Sequence, residues 1–228
     1  MPWFKVTPAI KAADVDGNPV NPEILVYDEI SADSAEDFNR ALKSLGDCKA
    51  ITMRINSPGG DGFAGIAIHN ILAAHPATIT CYIDGIAASA ASLIAMAADK
   101  IIAPENTFMA IHNPYAMTIG PAAAHRAMAD DLDRISDSYA ATYSKRSKQP
   151  IGAVRALMDQ DRLMGAKEAK QLGYVDELAP EDDGLVASFD LAKLAPQHKA
   201  AASAFSILAG KRRAQAQLRR ELGIDRAR

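Results

Sequence analysis

The amino-acid sequence predicts an α/β protein built on a mostly parallel β-sheet. Short runs rich in Val, Ile and Thr alternate along the chain with segments whose apolar residues recur every three to four positions. Strands that alternate with helices are joined by right-handed crossovers, which places the helices on the faces of the sheet. The chain has 228 residues, 49% of them hydrophobic. This length suits one substantial domain with an appendage, since a domain averages about 150 residues.

The first strand–helix–strand unit is predicted over residues 24–55. Apolar runs at residues 24–27 and 50–55 indicate two strands. Between them, Ser34 can cap a helix, apolar residues follow at helical spacing, and Gly46 ends the helix. The same order of elements then repeats. Further helices are predicted at residues 63–74 and 88–98, and further strands at residues 78–83, 100–103 and 108–111.

A long helix is predicted over residues 121–148. It has one proline, at its first position, and no interior glycine. An apolar stripe at helical spacing runs along it through Met128, Leu132, Ile135 and Tyr139. We expect this helix to project from the domain and to pack on a partner subunit. A last helix at residues 166–172 and a short strand at residues 173–175 complete the predicted domain.

The composition changes near residue 180, which we take as a domain boundary. Residues 1–180 are predicted to form the domain, and residues 181–228 a linker and a basic, partly helical tail. Residues 211–228 hold seven basic and two acidic side chains. A helix at residues 200–222 could dock on a scaffold or touch DNA, and the alternative is a solvated terminus.

Several classes of protein are disfavoured by composition. The net charge is −3, which argues against a protein that coats nucleic acid. Cys48 and Cys81 are far apart and outside any metal-binding spacing, so we expect neither a disulfide framework nor a zinc site. No secretory signal and no run of about 18 apolar residues is present. The expected location is the cytoplasm, with no membrane association.

Two consecutive glycines follow a predicted strand at residues 55–60, Ile-Asn-Ser-Pro-Gly-Gly. Gly59 and Gly60 can adopt positive φ and present bare N–H groups at the carboxyl ends of the strands. Such groups can bind an anion or a developing oxyanion. A plain tight turn is the alternative, and a phosphate loop is excluded because the Gly-Lys-Ser/Thr ending is missing.

Ser89 follows a predicted strand and a glycine, within Gly85-Ile-Ala-Ala-Ser-Ala-Ala-Ser92. A serine at a strand-to-helix turn can serve as a nucleophile, and its small neighbours would admit a substrate backbone. A helix-capping serine is the alternative. A nucleophilic serine needs a base and an orienting acid. His112 ends a predicted strand and would lie at the same sheet edge, whereas Asp159, Asp161 and Asp176 are all candidates for the acid.

Four linked motifs resemble the ClpP serine peptidase family in order and spacing over residues 22–180. They are the segments at residues 55–60, 85–92 and 110–114 already described, together with residues 161–176, which contain Asp-Arg-Leu-Met-Gly-Ala-Lys-Glu-Ala and Gly-Tyr-Val-Asp. The resemblance implies a ClpP/crotonase-type fold of repeated β-β-α and βαβ units with a projecting handle helix. It also implies a serine endopeptidase that needs no cofactor or metal.

The resemblance also implies roles for individual residues. Ser89 would be the nucleophile, His112 the base and Asp161 the orienting acid, and the N–H groups of Gly60 and Ala90 would form the oxyanion hole. A peptide substrate would bind extended beside Gly59 and Gly60, with Asn113 also in contact.

The sequence departs from housekeeping ClpP subunits at several positions. Housekeeping subunits usually have glutamine at the position of Ile86, Met-Gly at Ala90 and Ala91, and glutamine at Asn113. The N-terminus also does not resemble the axial loop that engages an ATPase. The combination is more like the ClpP-related head maturation proteases of tailed bacteriophages and prophages, which would cut scaffold or capsid protein. One alternative is the proteolytic subunit of an ATP-dependent Clp machine, with an AAA+ unfoldase as partner. More distant alternatives are a crotonase-like acyl-CoA enzyme and a structural ring protein. The resemblance to ClpP also implies a homo-oligomer, usually a ring.

Overall fold

The strands of the molecule form a mixed, mostly parallel sheet, as the sequence predicts. The computed structural model describes residues 4–7 and 21–179. The strands of this part of the chain are β1 (Phe4–Thr7), β2 (Glu23–Tyr27), β3 (Ala50–Ser57), β4 (Thr78–Ala88), β5 (Lys100–Pro104), β6 (Phe108–Ala110), β7 (Leu163–Gly165) and β8 (Glu177–Ala179). Its helices are α1 (Ser34–Lys43), α2 (Gly62–Ala73), α3 (Ala90–Ala95), α4 (Ala122–Ser147), α5 (Ile151–Met158) and α6 (Ala166–Gln171).

The order of the strands across the sheet is β1-β2-β3-β4-β5-β8. All pairs from β2 to β8 on this path are parallel, and β1 pairs antiparallel with β2. Two further strands extend the sheet beside the end of β4: β6 pairs parallel with β4, and β7 pairs antiparallel with β6.

One face of the sheet carries the hydrophobic core. Alternate residues of β2, β3 and the first half of β4 are buried, whereas their neighbours on the other face are mostly half-buried. This period of two is typical of strands with one face against a core. Phe38 of α1 and Ile68 of α2 are fully buried in the same core. Each such side chain contributes about 1.5–3 kcal/mol of burial free energy.

The strand β4 is longer than the sequence predicts, and the helix after it is shorter. Residues 80–82 pair with β5, and residues 86–88 pair with β6, so the sheet divides near Gly85. A side chain at Gly85 would collide with the Asn56 side chain, since its Cβ would lie 2.5 Å from Asn56 Oδ1. The prediction of helix from residue 88 is therefore wrong by two residues. Pairing with β3 and β6 outweighs the helix preference of the alanines.

The predicted strand at residues 173–175 is also wrong, and the strand lies at Glu177–Ala179. Gly173, with φ of 80°, follows the end of α6. The N–H groups of Tyr174 and Val175 both donate to the carbonyl of Ala169, at 2.8 and 3.3 Å. These bonds close the helix and leave the segment unable to join the sheet until residue 177.

The long helix agrees with the prediction to within one residue at each end. Its residues 122–135 include none that is buried, whereas Ser136, Tyr139, Ala140 and Tyr143 are buried. Met128, Leu132 and Ile135 of the predicted stripe are half-buried. The second half of α4 is therefore anchored in the core, and the first half extends away from it.

Three elements were not predicted: β1, α5 and β7. Helix α5 carries a usable signal, because Val154, Leu157 and Met158 are buried at helical spacing after Pro150. The three residues of β7 carry no periodicity. The tail at residues 181–228, with its helix at residues 200–222, lies outside the described residues, and the domain boundary stays a prediction.

Candidate active site

Ser89 lies at the turn between β4 and α3, as predicted. Its backbone has φ of 54° and ψ of −128°, an uncommon conformation for a residue with a side chain. Its N–H donates to the carbonyl of Ala110 at 3.0 Å, and its carbonyl accepts from the N–H groups of Ser92 and Leu93 at 2.9 and 3.2 Å. Both peptide groups of this turn are therefore fixed. Strained turns of this kind occur at functional sites, where the surrounding structure holds them.

The Gly59–Gly60 segment lies directly against this turn. Gly59 has φ of 96° and Gly60 has φ of 144°. A Cβ on Gly59 would be 2.6 Å from the Cβ of Ser89 and 2.9 Å from the backbone nitrogen of Ala90. Glycine is required at Gly59 both by its dihedral angle and by this close approach.

The N–H groups of Gly60 and Ala90, the predicted oxyanion donors, belong to the two segments that meet beside Ser89. The carbonyl of Gly59 accepts from the N–H of Ile30 at 2.7 Å, and the N–H of Asp61 donates to Ile30 at 2.8 Å. Peptide groups alternate in direction along an extended segment, so the N–H of Gly60 faces away from Ile30. Within the described residues, neither this N–H nor that of Ala90 donates to a protein acceptor. The two groups are available to a ligand beside Ser89.

His112 comes to the same place through strand β6. Ala88 pairs with Ala110 in the parallel ladder of β4 and β6, so the residues that follow each strand are neighbours. The His112 side chain is 4% exposed, and its ring stacks on that of Tyr115 with centroids 6.0 Å apart. Its Nδ1 lies 2.6 Å from the carbonyl oxygen of Asn113. A carbonyl only accepts, so Nδ1 is the donor in this bond.

The pairing of β6 with β7 brings the segment that carries Asp161 beside the segment that carries His112. In this antiparallel pair Ala110 is opposite Leu163. His112 lies two residues after Ala110 and Asp161 two residues before Leu163, so this pairing brings the segments that carry them side by side. Asp161 has φ of 45°, so the strand itself does not extend to it. Tyr115, whose ring stacks on that of His112, also lies near the carboxylate of Asp161. Its pKa is raised first by partial burial and then by the carboxylates of Glu29 and Asp161.

The other two candidate acids accept hydrogen bonds from groups other than His112. Asp159 Oδ1 accepts from the side chain of Asn113 at 2.7 Å. Asp176 Oδ2 accepts from the N–H of Ile101 at 2.6 Å and pairs with Arg146. Asp176 precedes the parallel strand β8, so it lies at the opposite edge of the sheet from residues that follow strands. Asp161 lies two residues before β7, the partner of β6, and its role as the orienting acid stays a prediction.

Asn113 was predicted to contact the substrate. The bond of its side chain to Asp159 joins the segment that follows His112 to the segment that precedes Asp161. Contact with substrate stays a prediction. Tyr115 was missed by sequence reasoning, since an aromatic residue three positions after a histidine has no distinctive pattern.

Residues 4–7 and 21–179 contain neither a candidate metal site nor a candidate membrane span. No group of three His, Cys, Asp or Glu side chains in this part of the chain could hold a metal ion. Over the same residues, no helix has the length and apolar character needed to cross a membrane.

A family model described as Clp protease matches residues 20–182 of this chain. The chain belongs to the Clp protease family. A curated relative from Thermobifida fusca, ATP-dependent Clp protease proteolytic subunit 2, is 31% identical over 166 residues, which are 71% of this chain and 77% of the relative. The proteolytic subunit from Pleurastrum terricola is 34% identical over 142 residues, 61% of this chain and 72% of that protein.

Solved structures of this family share the fold. A mutant of ClpP1 from Listeria monocytogenes has a TM-score of 0.64 and 29% identity, and the match covers 72% of this chain and 94% of that one. The wild-type ClpP1 structure has a TM-score of 0.61 and 27% identity over the same shares. The predicted ClpP-type fold is therefore confirmed, and this Clp protease family member is a serine-type peptidase.

Proposed function

We propose that this chain is the proteolytic subunit of an ATP-dependent Clp protease, with Ser89, His112 and Asp161 as its catalytic residues. One observation carries the assignment of residues: the ladders β4–β6 and β6–β7 bring the ends of three separate chain segments to one point. The wider role is supported by the relatives, which are named as ATP-dependent Clp proteolytic subunits.

The proposed reaction is acyl transfer to Ser89. Nε2 of His112 takes the proton of Ser89 Oγ as Oγ bonds to the carbonyl carbon of the scissile peptide. The oxyanion accepts from the N–H groups of Gly60 and Ala90, each worth about 10²- to 10³-fold in kcat. The imidazolium then protonates the leaving amine as the C–N bond breaks.

Hydrolysis of the acyl-enzyme completes the cycle. His112 takes a proton from water, the hydroxyl oxygen bonds to the acyl carbon, and Ser89 Oγ leaves with the proton from His112. Asp161 would stabilise the charged form of the ring. A negative carboxylate near His112 favours the imidazolium that forms in both steps.

The first experiment is the intact mass of the full-length protein after incubation with a fluorophosphonate. We expect one adduct, absent from Ser89→Ala and retained by Ser138→Ala, which changes an exposed serine of α4. Peptide hydrolysis by Ser89→Ala should fall on the order of a million-fold in kcat. An unlabelled wild-type protein, or equal labelling of Ser89→Ala, would overturn the assignment.

The second experiment concerns the energy source. A folded, tagged protein is incubated with the full chain, with and without a Clp-type AAA+ unfoldase and ATP. We expect degradation only when the unfoldase and ATP are present, and cleavage of unfolded protein in either case. Ser89→Ala is the control for contaminating proteases.

The head maturation role is the second candidate, and the departures at Ile86, Ala90, Ala91 and Asn113 favour it. It predicts limited cleavage of scaffold or capsid protein without any ATPase, and no stimulation by an unfoldase. The names of the relatives favour the Clp subunit. In either case we propose a homo-oligomer, which native mass spectrometry of the full chain would measure directly.

A further inference from the structure

A chain of two hydrogen bonds joins helix α4 to the turn that carries Ser89. The hydroxyl of Ser92 lies 2.6 Å from the carbonyl oxygen of Ser89. The same hydroxyl lies 2.7 Å from the hydroxyl of Tyr143. Both Ser92 and Tyr143 are fully buried, so their hydroxyl groups bond to each other instead of to water. The catalytic mechanism described above uses neither residue.

The direction of both bonds follows from counting protons. The carbonyl oxygen of Ser89 has no hydrogen, so Ser92 must donate to it. A serine hydroxyl has one hydrogen, so it can only accept in its bond with Tyr143. The order is therefore Tyr143 O–H to Ser92 Oγ, and Ser92 O–H to the Ser89 carbonyl. The first bond makes the Ser92 oxygen a better donor in the second, because chains of hydrogen bonds polarise one another.

The carbonyl that receives this chain belongs to the strained residue. A positive φ is unfavourable at a residue with a side chain, so Ser89 keeps φ of 54° only because its surroundings hold it. The Ser89 carbonyl accepts from two N–H groups of α3 as well as from the Ser92 hydroxyl. The bond from Ser92 is therefore one of three that oppose the strain at Ser89.

The far end of the chain is firmly placed. The ring of Tyr143 meets that of Tyr174 edge-on, with centroids 6.1 Å apart and planes at 89°. Ser136, Tyr139 and Ala140 anchor the same half of α4 in the core. The Tyr143 hydroxyl is thus a fixed donor that reaches Ser92 from another element.

We propose that Tyr143, acting through Ser92, is a positioning residue that holds the Ser89 turn in its reactive conformation. The proposal rests on the proposed role of Ser89 as nucleophile. Neither residue touches the reacting atoms. Loss of the relay should lower the reactivity of Ser89 and leave the binding of substrate unchanged.

The test compares Tyr143→Phe with the wild-type full-length protein. We expect the second-order rate of fluorophosphonate labelling, and kcat for a peptide, to fall about five- to tenfold, as the loss of one hydrogen bond predicts. KM should stay within about twofold, because substrate contacts are not changed. Assays are run at a temperature where circular dichroism shows both proteins fully folded.

Tyr174→Phe is the matched control. It removes a hydroxyl from the same buried tyrosine pair, and none of the hydrogen bonds of the relay is changed. We expect its labelling rate to equal that of the wild type, even if its free energy of unfolding is lower. If both variants lose the same rate, the effect is general loosening of the core and the proposal is wrong.

A double-mutant cycle tests whether the effect passes through Ser92. Ser92→Ala removes both bonds, and adding Tyr143→Phe to it should cause no further loss of rate. Additive losses would show that Tyr143 acts by another route and would overturn the proposal. If Tyr143→Phe does not fold, Ser92→Ala alone decides, since a labelling rate equal to that of the wild type would also overturn it.

Wild-type labelling at Ser89 with an unchanged rate in Tyr143→Phe rejects the relay and keeps the proposed function. A wild-type protein that is not labelled rejects both.

Discussion

Backbone conformation at single residues determines the geometry next to Ser89. Gly59 has a positive φ, and any side chain at this position would collide with Ser89 and Ala90. Ser89 itself has a positive φ that no glycine relieves. The strain at Ser89 is tolerated because Gly59, which packs against it, has no side chain. Three hydrogen-bond donors also hold the carbonyl of Ser89.

Gly59→Ala should destabilise the protein by about 2 kcal/mol or more, because the methyl group would lie 2.6 Å from the Ala88 oxygen and from Ser89 Cβ. Labelling of Ser89 should also fall. The matched control is Gly46→Ala, where φ is 65° but no atom lies within 4 Å of the added carbon. That variant should lose about 1 kcal/mol from strain alone. Urea unfolding monitored by fluorescence measures both, and equal losses would contradict the steric argument.

Part of the candidate site could be predicted from the sequence, residue by residue. Ser89, His112, Gly59 and Gly60 follow predicted strands, and parallel strands end at one edge, so their proximity could be inferred. Asp161 could not be chosen by spacing, because its position depends on a strand pairing across some fifty residues. The bond between Ser92 and Tyr143 depends on how α4 packs on α3, and no sequence pattern encodes it.

At the scale of elements, the start of α2 follows the glycine segment and fixes its exit. Asp61 caps this helix, and its Oδ1 accepts from the N–H of Ala64 at 2.8 Å. We predict that Asp61→Ala lowers the free energy of unfolding by about 1 kcal/mol. Asp61→Asn keeps an acceptor oxygen and should lose much less. Chemical denaturation of the three proteins would show the order, and equal stability of Asp61→Ala and wild type would contradict it.

A second element-scale prediction concerns the link between α6 and the segment of Asp161. Arg162 donates to both carboxylate oxygens of Glu168, at 2.9 and 2.5 Å, and this hydrogen bond lowers the pKa of Glu168. The stabilisation is therefore present above the unfolded pKa of about 4.3 and is lost as pH falls through the lower folded value. Both side chains are near 40% exposed, so we expect less than about 1 kcal/mol.

Glu168→Gln should accordingly be less stable than wild type at pH 7, and the difference should shrink toward zero as pH falls below about 4. Unfolding free energies at several pH values provide the measurement. Glu36→Gln, which changes an exposed carboxylate of α1 paired with Arg40, is the control and should show little difference at any pH. A difference for Glu168→Gln that grows toward low pH would refute the assignment.

The elements that sequence analysis found are those with a pattern of their own. Strands β2 and β3 and helices α1, α2 and α4 each have enough residues to show a period of two or of three to four. Strands β7 and β8 have three residues each, and they are defined by their partners. The end of β4 has helix-forming alanines, and its pairing with two neighbours overrides that preference.

At the scale of the whole molecule, the sheet path ends at β8, and the family match ends at residue 182. A chain truncated after residue 182 should therefore fold and keep fluorophosphonate labelling of Ser89 within about twofold of the full chain. Labelling kinetics and circular dichroism of the two proteins decide this. Loss of folding on truncation would show that residues 183–228 belong to the domain.

The antiparallel register of β6 and β7 has a consequence for how this protein can change over evolution. His112 and Asp161 each lie two residues beyond a paired strand end. Inserting or deleting one residue in either short offset would move one of these side chains away from the other, so we expect the offsets to keep their length. The length of the connection between β6 and β7 is not restricted in this way. Residues 122–135 of α4 include none that is buried. Descendants of this gene could lengthen or shorten that part by whole turns and still inherit the same catalytic pair.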